Sequence, residues 1–598
     1  MARKKAERKA DIVQYEPSKY QKDIFDFIQH KQGNLVIEAA AGSGKTWTLC
    51  KCIELLPPDS KILFAAFNND ITNELKKKLA NVKNARVNTL HSLGKTILMR
   101  NYAKEHELEL SDMKYIPYVR KNAINLSSAN ELSKQETTKF IKNVIDLVNF
   151  GRLYLATCVV DMYVVAERYR IDMIADEAEV ALKVMDWGKQ ELDIIDFTDM
   201  IWIPYANSLS SRGLTYDYIF IDEAQDLSKA QRYIIGLLSS MKTRIIAAGC
   251  QEQTIYSFNG ADPQSFDEFK SMPNTSSLPL SISYRCADRI VEYAQRWGTI
   301  EKNDNGIDGE IEYNSEVSDI EEGSMVLCRN NAPLMKVYAD LVRAKKKCVI
   351  LGKDFTENIV DSIMSTGMAK LNIGLTEDGV FVRLYDELFN YGYSLMEKYG
   401  LDKKMAFSSE QFMNKFDKIR ALEILSVGLE TREQLINKIM GLQTKNDEND
   451  KSIIRLSTIH KAKGLEADNV YIVCNSLMPS KSAVKDWEKN QEKCLMYVAY
   501  TRPKLKLSFL DEEPFKVFQS DQTDIKLMMS EIKVNKVLGK QAREIKVTKE
   551  NADTVIAMAK PVIDTKKSEP VRLSSTGTSA PKTFGGIIKR KKTKLRHA

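Results

Sequence analysis

Residues Glu38 to Thr46 read E-A-A-A-G-S-G-K-T and follow the apolar run Leu35-Val36-Ile37. A strand, a glycine-containing loop and then Lys-Thr at a helix start make a phosphate cradle. Gly42 and Gly44 let the backbone N–H groups of the Ala41–Gly44 loop, Ser43 included, come close to phosphate oxygens. Lys45 adds a point charge for β- and γ-phosphates, and Thr46 offers a hydroxyl to Mg²⁺. Ala39 stands where the generic pattern has its first Gly. A second cluster, Asp222-Glu223-Ala224-Gln225-Asp226, closes the run Tyr218-Ile219-Phe220-Ile221. An apolar strand ending in Asp-Glu suits Mg²⁺-dependent hydrolysis of a nucleoside triphosphate. Asp222 would hold the metal, directly or through water, and Glu223 would polarise the attacking water.

These residues need strands to aim them. Leu35–Ile37, Lys61–Ala66, Tyr218–Asp222 and Arg244–Gly249 form one set of short apolar runs, each followed by a loop and a helical pattern. Ser324–Cys328, Lys347–Leu351, Ile453–Thr458, Asn469–Val473 and Leu505–Phe509 form another. Apolar runs without strict alternation fit parallel strands covered by helices on both faces. Two such sets predict two α/β domains. Two stretches break the rhythm and read as helical insertions. One runs from about Ile97 to Gln190, with apolar residues three and four apart around Phe140, Val144, Leu147 and Tyr154; the other runs from about Asn358 to Leu442. After about Glu513 the pattern fades, and from Thr565 the composition is that of a disordered tail.

At 598 residues the chain exceeds what one core can serve, and three to five domains are expected. A content of 43% hydrophobic and 28% charged residues is that of an ordinary soluble protein. No apolar run reaches the ~20 residues of a membrane span, and no signal-peptide pattern opens the chain. Nine cysteines without a C-x-x-C pair point to reduced thiols, not to zinc or disulfides. The net charge of +7 resides at the ends. Residues 1–9 carry five basic and one acidic side chain and residues 582–598 carry seven basic and none acidic, so the rest sums to 7 − 4 − 7 = −4. Bulk charge therefore makes no case for nucleic acid, although the basic ends suit non-specific contact with it.

Further segments follow in order: Tyr20-Gln21, 24 positions before Lys45; Phe67-Asn68-Asn69; Thr89-Leu90-His91-Ser92; and Gly249 to Ala261, with Gln253, Tyr256 and Phe258 inside it. Beyond them lie Ser283-Tyr284-Arg285-Cys286, Arg329-Asn330-Asn331, Thr458 to Glu466 (T-I-H-K-A-K-G-L-E) and Tyr497 to Arg502 (Y-V-A-Y-T-R). As a set, over residues 15–512, they resemble the superfamily 1 helicases of the UvrD/Rep/PcrA type.

The resemblance implies two RecA-like motor domains with ATP and Mg²⁺ between them, and single-stranded DNA across both. It places Gln21 and Tyr284 on the adenine, Glu466 on the ribose side, and Gln253 and Arg285 on the γ-phosphate. Arg502 becomes an arginine finger, a role worth about 10³–10⁵ in rate in comparable enzymes. Phe67, Asn68, Asn69, Thr89, His91, Tyr256, Phe258, Thr458 and His460 become strand contacts, with the aromatics as stacking groups. The A-K-G-L-E form favours 3′→5′ movement. The chain departs from the family pattern at Ala40 (for Gly), Cys250 (for Asp), Asn259 (for Arg) and Pro503 (for Ala). Ala40 should stiffen the phosphate loop without inactivating it.

The expected division is 1–96 with 191–280 as first motor, 97–190 as its insertion, 281–357 with 443–512 as second motor, 358–442 as a small insertion, and 513–598 as an extension. The expected activity is ATP-driven DNA translocation and unwinding by a monomer, on single strands and single/double-strand junctions. Replication or repair proteins would dock through the termini. The expected location is cytoplasmic, at the nucleoid in a bacterial or viral setting, with a nuclear one left open by the basic tail. A translocase that strips proteins with weak unwinding, and a nucleotide-gated clamp with little turnover, stay open.

Overall fold

A computed structural model describes residues 16–66, 69–128, 132–255, 260–351, 360–372, 378–399, 406–407, 409–441, 450, 452–481, 483 and 486–518. Phe67, Asn68, Tyr256, Phe258, Asn259 and the tail from Thr565 lie outside these residues, as does the side chain of Asn69.

The strands, in chain order, are β1 (Asn34–Ala39), β2 (Ile62–Ala66), β3 (Ala85–Thr89), β4 (Glu109–Leu110), β5 (Ile194–Ile195), β6 (Tyr218–Ile221), β7 (Arg244–Gly249), β8 (Thr275–Leu280), β9 (Glu310–Ser315), β10 (Met325–Cys328), β11 (Cys348–Ile350), β12 (Ile454–Thr458), β13 (Ala467–Val473) and β14 (Pro503–Leu510). Six make one sheet in the order β3-β2-β6-β7-β1-β8, and six make a second in the order β11-β12-β10-β13-β14-β9. Every pairing in both is parallel. The central strands are buried along their length, as in Ile62–Ala66 and Met325–Cys328, because helices cover both faces. Pro503 opens β14, a strand position where a missing N–H costs no ladder bond.

The expected runs match strands to within two or three residues. In the two large sheets β3, β8 and β9 were not among them. Each lies at the edge of its sheet and is partly exposed, so none leaves a continuous apolar run.

The first helical insertion has its own core, which includes Tyr115, Phe140, Val144, Leu147, Met162 and Val184. The helix Leu90–Tyr102 contributes Leu90, Leu93 and Ile97 to the motor's core and Leu98 to the insertion's, so a boundary at residue 96 falls inside one helix. Arg152, fully buried, ties the insertion down. It donates to Asp196 and Asp199 at 2.8 Å and stacks 3.9 Å over Tyr115, while Lys114 donates to Asp199 at 2.6 Å. The second insertion is helical, with Val380–Tyr399, Glu410–Ser426 and Arg432–Gly441. Asp417 fixes it to the second sheet's layer by accepting the N–H groups of Asn331 and Ala332, the first residues of helix Asn331–Arg343. Among the described residues no single helix is long and apolar enough to cross a membrane.

Candidate active site

The carboxyl end of β1 runs into the loop Ala40–Gly44 and then the helix Lys45–Glu54. Gly42 and Gly44 have φ of +69° and +80°, a region that favours glycine. Space matters as well: a Cβ on Gly42 would come within 2.4 Å of the Arg285 Cβ. Thr46 Oγ1 donates to Asp222 Oδ2 at 2.5 Å, and Lys45 Nζ stands 3.5 Å from Glu223 Oε1. Glu223 has a left-handed backbone, φ +52°, an uncommon state for a side-chain-bearing residue. That turn off β6 lets its carboxylate face Lys45. Gln225 steadies it, donating to Glu223 Oε2 at 2.5 Å and accepting the Cys250 N–H at 3.1 Å.

Electrostatics separate the two acids. Burial and the neighbouring Glu223 push the Asp222 carboxyl up. Burial raises Glu223 too, but Lys45 and Lys463 outweigh it and hold it at about 2. Burial pulls Lys45 down, yet Glu223, Cys250 and Asp222 leave its ammonium above its ordinary value. A buried acid pair beside a hydroxyl, with one ammonium close by, is a donor set that fits a hard oxygen-liganded dication. Thr46 and Asp222 would hold it.

The facing wall comes from the second sheet. Arg285 Nε donates to Glu466 Oε2 at 2.7 Å and its Nη1 to the Thr501 carbonyl at 3.3 Å. Lys504 takes the other Glu466 oxygen at 2.7 Å. Arg502 is almost wholly buried and donates to the Val498 and Leu465 carbonyls and to Thr501 Oγ1, at 2.9, 3.1 and 3.1 Å. Burial, then the like charge of Arg285, lowers its pKa to about 10, so it stays cationic at neutral pH.

Three side chains in this region escaped the sequence reading, although two sit in segments it quoted. Tyr497 Oη accepts the Ala41 N–H of the phosphate loop at 3.1 Å. Lys463 crosses from the second sheet and donates to Asp226 Oδ2 and the Gln253 carbonyl, both at 2.5 Å. Phe197, 51% exposed, lies 5.5 Å from the His91 ring; an aromatic between Asp196 and Thr198 carries no sequence signal of its own. The departures Ala40 and Cys250 are both buried, in one apolar cluster with Tyr497, Cys494, Ile459 and Ala462 of the second wall. The cleft floor is thus a shared core in which a Cys thiol replaces a carboxylate.

Gln21 is fully buried. Its carboxamide accepts the Ser18 N–H at 2.9 Å and donates to Thr48 Oγ1 at 3.1 Å, which turns it toward the helix after the phosphate loop. Tyr284 is 38% exposed, and its N–H donates to the Gly42 carbonyl at 2.9 Å. Gln253 is buried in a 3₁₀ turn after β7. Thr89, at the carboxyl end of β3, caps the next helix by accepting the Ser92 N–H. His91 is held neutral by burial, against the opposing pull of Asp196. Thr458 ends β12, and desolvation and Arg329 push His460 down to about 3, again neutral. Neutral imidazoles suit hydrogen bonding to a strand better than charge pairing. Of the residues expected to contact a strand, Thr89, His91, Thr458 and His460 lie at or just past the carboxyl ends of β3 and β12, the ends where parallel sheets hold their ligands.

Residues 20–274 match the model of the UvrD/REP helicase N-terminal domain. The chain is 24% identical over 379 residues to the ATP-dependent DNA helicase Rep of Buchnera aphidicola subsp. Schizaphis graminum, covering 58% of this chain and 56% of that protein. It is 26% identical over 292 residues to the ATP-dependent DNA helicase PcrA of Leuconostoc citreum, covering 45% and 37%. With the Staphylococcus aureus ATP-dependent DNA helicase PcrA the identity is 24% over 604 residues, 79% of this chain and 80% of that protein. The chain spans about half the length of the first curated relatives it matches.

Proposed function

From the family match and these relatives we infer a superfamily 1 helicase of the UvrD/Rep/PcrA type with two RecA-like domains. From that premise we propose that the protein is an ATP-dependent translocase that moves 3′→5′ on single-stranded DNA and unwinds duplex ahead of it. The observation that carries the reading is the cleft itself. Lys45, Thr46, Asp222 and Glu223 stand on one wall, Arg285 and Arg502 on the other, and Tyr497 and Lys463 reach across.

The residues divide the work as follows. The 41–44 loop and Lys45 bind the phosphates. Lys45 is paired with Glu223. Phosphates entering the cradle draw Lys45 away, which relaxes its hold on Glu223 and leaves that carboxylate a better acceptor for a proton of the attacking water. The dication, when bound, offsets charge on the phosphate oxygens. Arg502 and Arg285 must exchange their internal acceptors for phosphoryl oxygens, a change that couples hydrolysis to domain closure. His91, Phe197, Thr458 and His460 contact the strand that the closing walls move.

Steady-state ATP hydrolysis with and without oligo-dT, on wild type and Lys45→Ala, tests the proposal. Strong stimulation by DNA, lost in the variant, is expected. Undetectable turnover with ATP still bound would favour a nucleotide-gated clamp. Strand displacement on a 3′-tailed duplex then separates unwinding from translocation alone.

A further inference from the structure

The first sheet's free edge carries a feature that none of the assigned segments uses. Among the described residues β3 pairs only with β2. Between that edge, the loop 79–84 and the end of the helix Asn69–Lys78 lies a cavity of about 410 Å³, lined by Lys76, Lys83, Arg86 and Asn88 over a floor that includes Leu79 and Val87. No carboxylate among the described residues lines it. Among the described residues Lys76, Lys83 and Arg86 form no ion pair, whereas the neighbouring Lys78 is taken by Glu74 at 2.6 Å.

A second hollow, about 630 Å³, makes the contrast. Its Lys95 and Lys104 are matched by Glu105, Glu107 and Asp193 in the same lining, so it has no preference for anions. The first groove concentrates three unmatched cations on a body whose residues 10–581 sum to −4. Part of that charge suits the helix carboxyl end, where Lys76 lies. Lys83 and Arg86 lie outside the helix; Arg86 bonds the Tyr216 hydroxyl, and neither has an anionic partner in the groove.

Position gives the groove its meaning. Asn88, in its lining, donates to Ser92 Oγ at 3.2 Å, and Thr89 to Ser92 is the segment assigned to strand contact. The groove thus begins where the assigned track along the first motor ends. We propose that it binds the phosphate backbone of single-stranded nucleic acid and extends the strand's path past Thr89 along the sheet edge. The proposal rests on the translocase reading.

The test compares oligo-dT of about 10 and about 25 nucleotides, binding wild type and the triple variant Lys76→Ser, Lys83→Ser, Arg86→Ser across a salt series. All three side chains are exposed, but Arg86 also bonds the buried Tyr216, so the double variant Lys76→Ser, Lys83→Ser, which should keep most of the effect, is made beside the triple one. For the long oligonucleotide the variant should lose about tenfold or more in affinity, and its log–log salt slope should fall by about 2, near 0.7 for each phosphate no longer neutralised. The short oligonucleotide should bind both proteins alike. Equal losses for both lengths would put these cations on the main track and overturn the proposal. No loss for either would overturn it too, and would leave the edge to a partner of another class, such as a protein strand. Wild type that binds neither oligonucleotide would sink the translocase reading itself.

Discussion

On the wall built from the first sheet, the groups that would meet a nucleotide are fixed by their own short loops. Gly42 and Gly44 set the cradle, Glu223 is turned into place by its left-handed backbone, and Gln225 holds its carboxylate. On the wall built from the second sheet, the cations are occupied elsewhere. Arg502 spends its donors on two carbonyls and Thr501, and Arg285 spends one on Glu466. The first wall's groups pair with one another inside the cradle, whereas the second wall's cations must be drawn out of acceptors of their own. A motor needs that asymmetry, because a cleft complete on both sides would turn over ATP without reference to DNA.

The largest expected effect breaks the second wall. Arg502→Ala should lower DNA-stimulated kcat by about 10³–10⁵ while the Kd for ATP changes little, since the cradle is intact. Arg502 is buried, so Arg502→Lys, which keeps the charge, should be made beside it. Fluorescent-nucleotide binding shows that the fold survives. A loss of ATP affinity equal to the loss of kcat would show Arg502 to be part of the cradle, and the asymmetry would fall. Glu223→Gln comes next, at about 10²–10⁴ in kcat with binding kept, measured in single-turnover hydrolysis.

Smaller effects test the link between the walls. Lys463→Met removes a strut whose ammonium holds both Asp226 and the Gln253 carbonyl. About tenfold of the DNA stimulation should go, with basal turnover affected less. Its pH dependence is more telling. Burial raises Asp226 to about 6 against the lowering pull of Lys463. As pH falls through about 6 the carboxylate takes a proton and the ion pair breaks, so stimulated kcat should decline there. The sign for stability is the reverse. A folded pKa above the unfolded one favours the folded state increasingly as pH drops from above 6 toward 4, so Asp226 alone gives no acid unfolding in that window. Asp226→Asn should abolish the inflection, and Lys463→Met should move it to higher pH. An unmoved profile in both would detach the strut from catalysis.

Which parts of this were legible in the sequence follows from burial. β1, β2, β6 and β7 are central or flanked strands, buried on both faces, and their apolar runs announce them. β3, β8 and β9 are edges, and Ala-Arg-Val-Asn-Thr at β3 reads as loop until a partner strand is known. Lys45, Thr46, Asp222 and Glu223 were legible because their spacing to a strand end is local. Lys463 and Tyr497 were not, because what they touch lies more than two hundred residues away in the chain: Asp226 and Ala41. The sequence likewise marks Ala40 and Cys250 as departures without revealing that both are buried in one cluster shared with the second wall. Each is acceptable there because its neighbours are apolar.

The mildest change asks whether the second wall is held back by its own anion. Glu466 accepts Arg285 and Lys504 at 2.7 Å each, and its side chain is 39% exposed. Burial would raise its pKa, but Lys504 and Arg285 outweigh that and keep it below the usual value, so it is charged at neutral pH. An ion pair this exposed holds Arg285 by no more than about 1 kcal/mol, a factor of about five. Glu466→Gln should therefore raise DNA-independent kcat by at most about fivefold, as Arg285 is freed to reach the phosphates, and should leave the DNA-stimulated rate nearly unchanged. If instead KM for ATP rises and basal kcat does not, Glu466 acts as a nucleotide contact, and the restraint on the second wall lies in the carbonyls that hold Arg502.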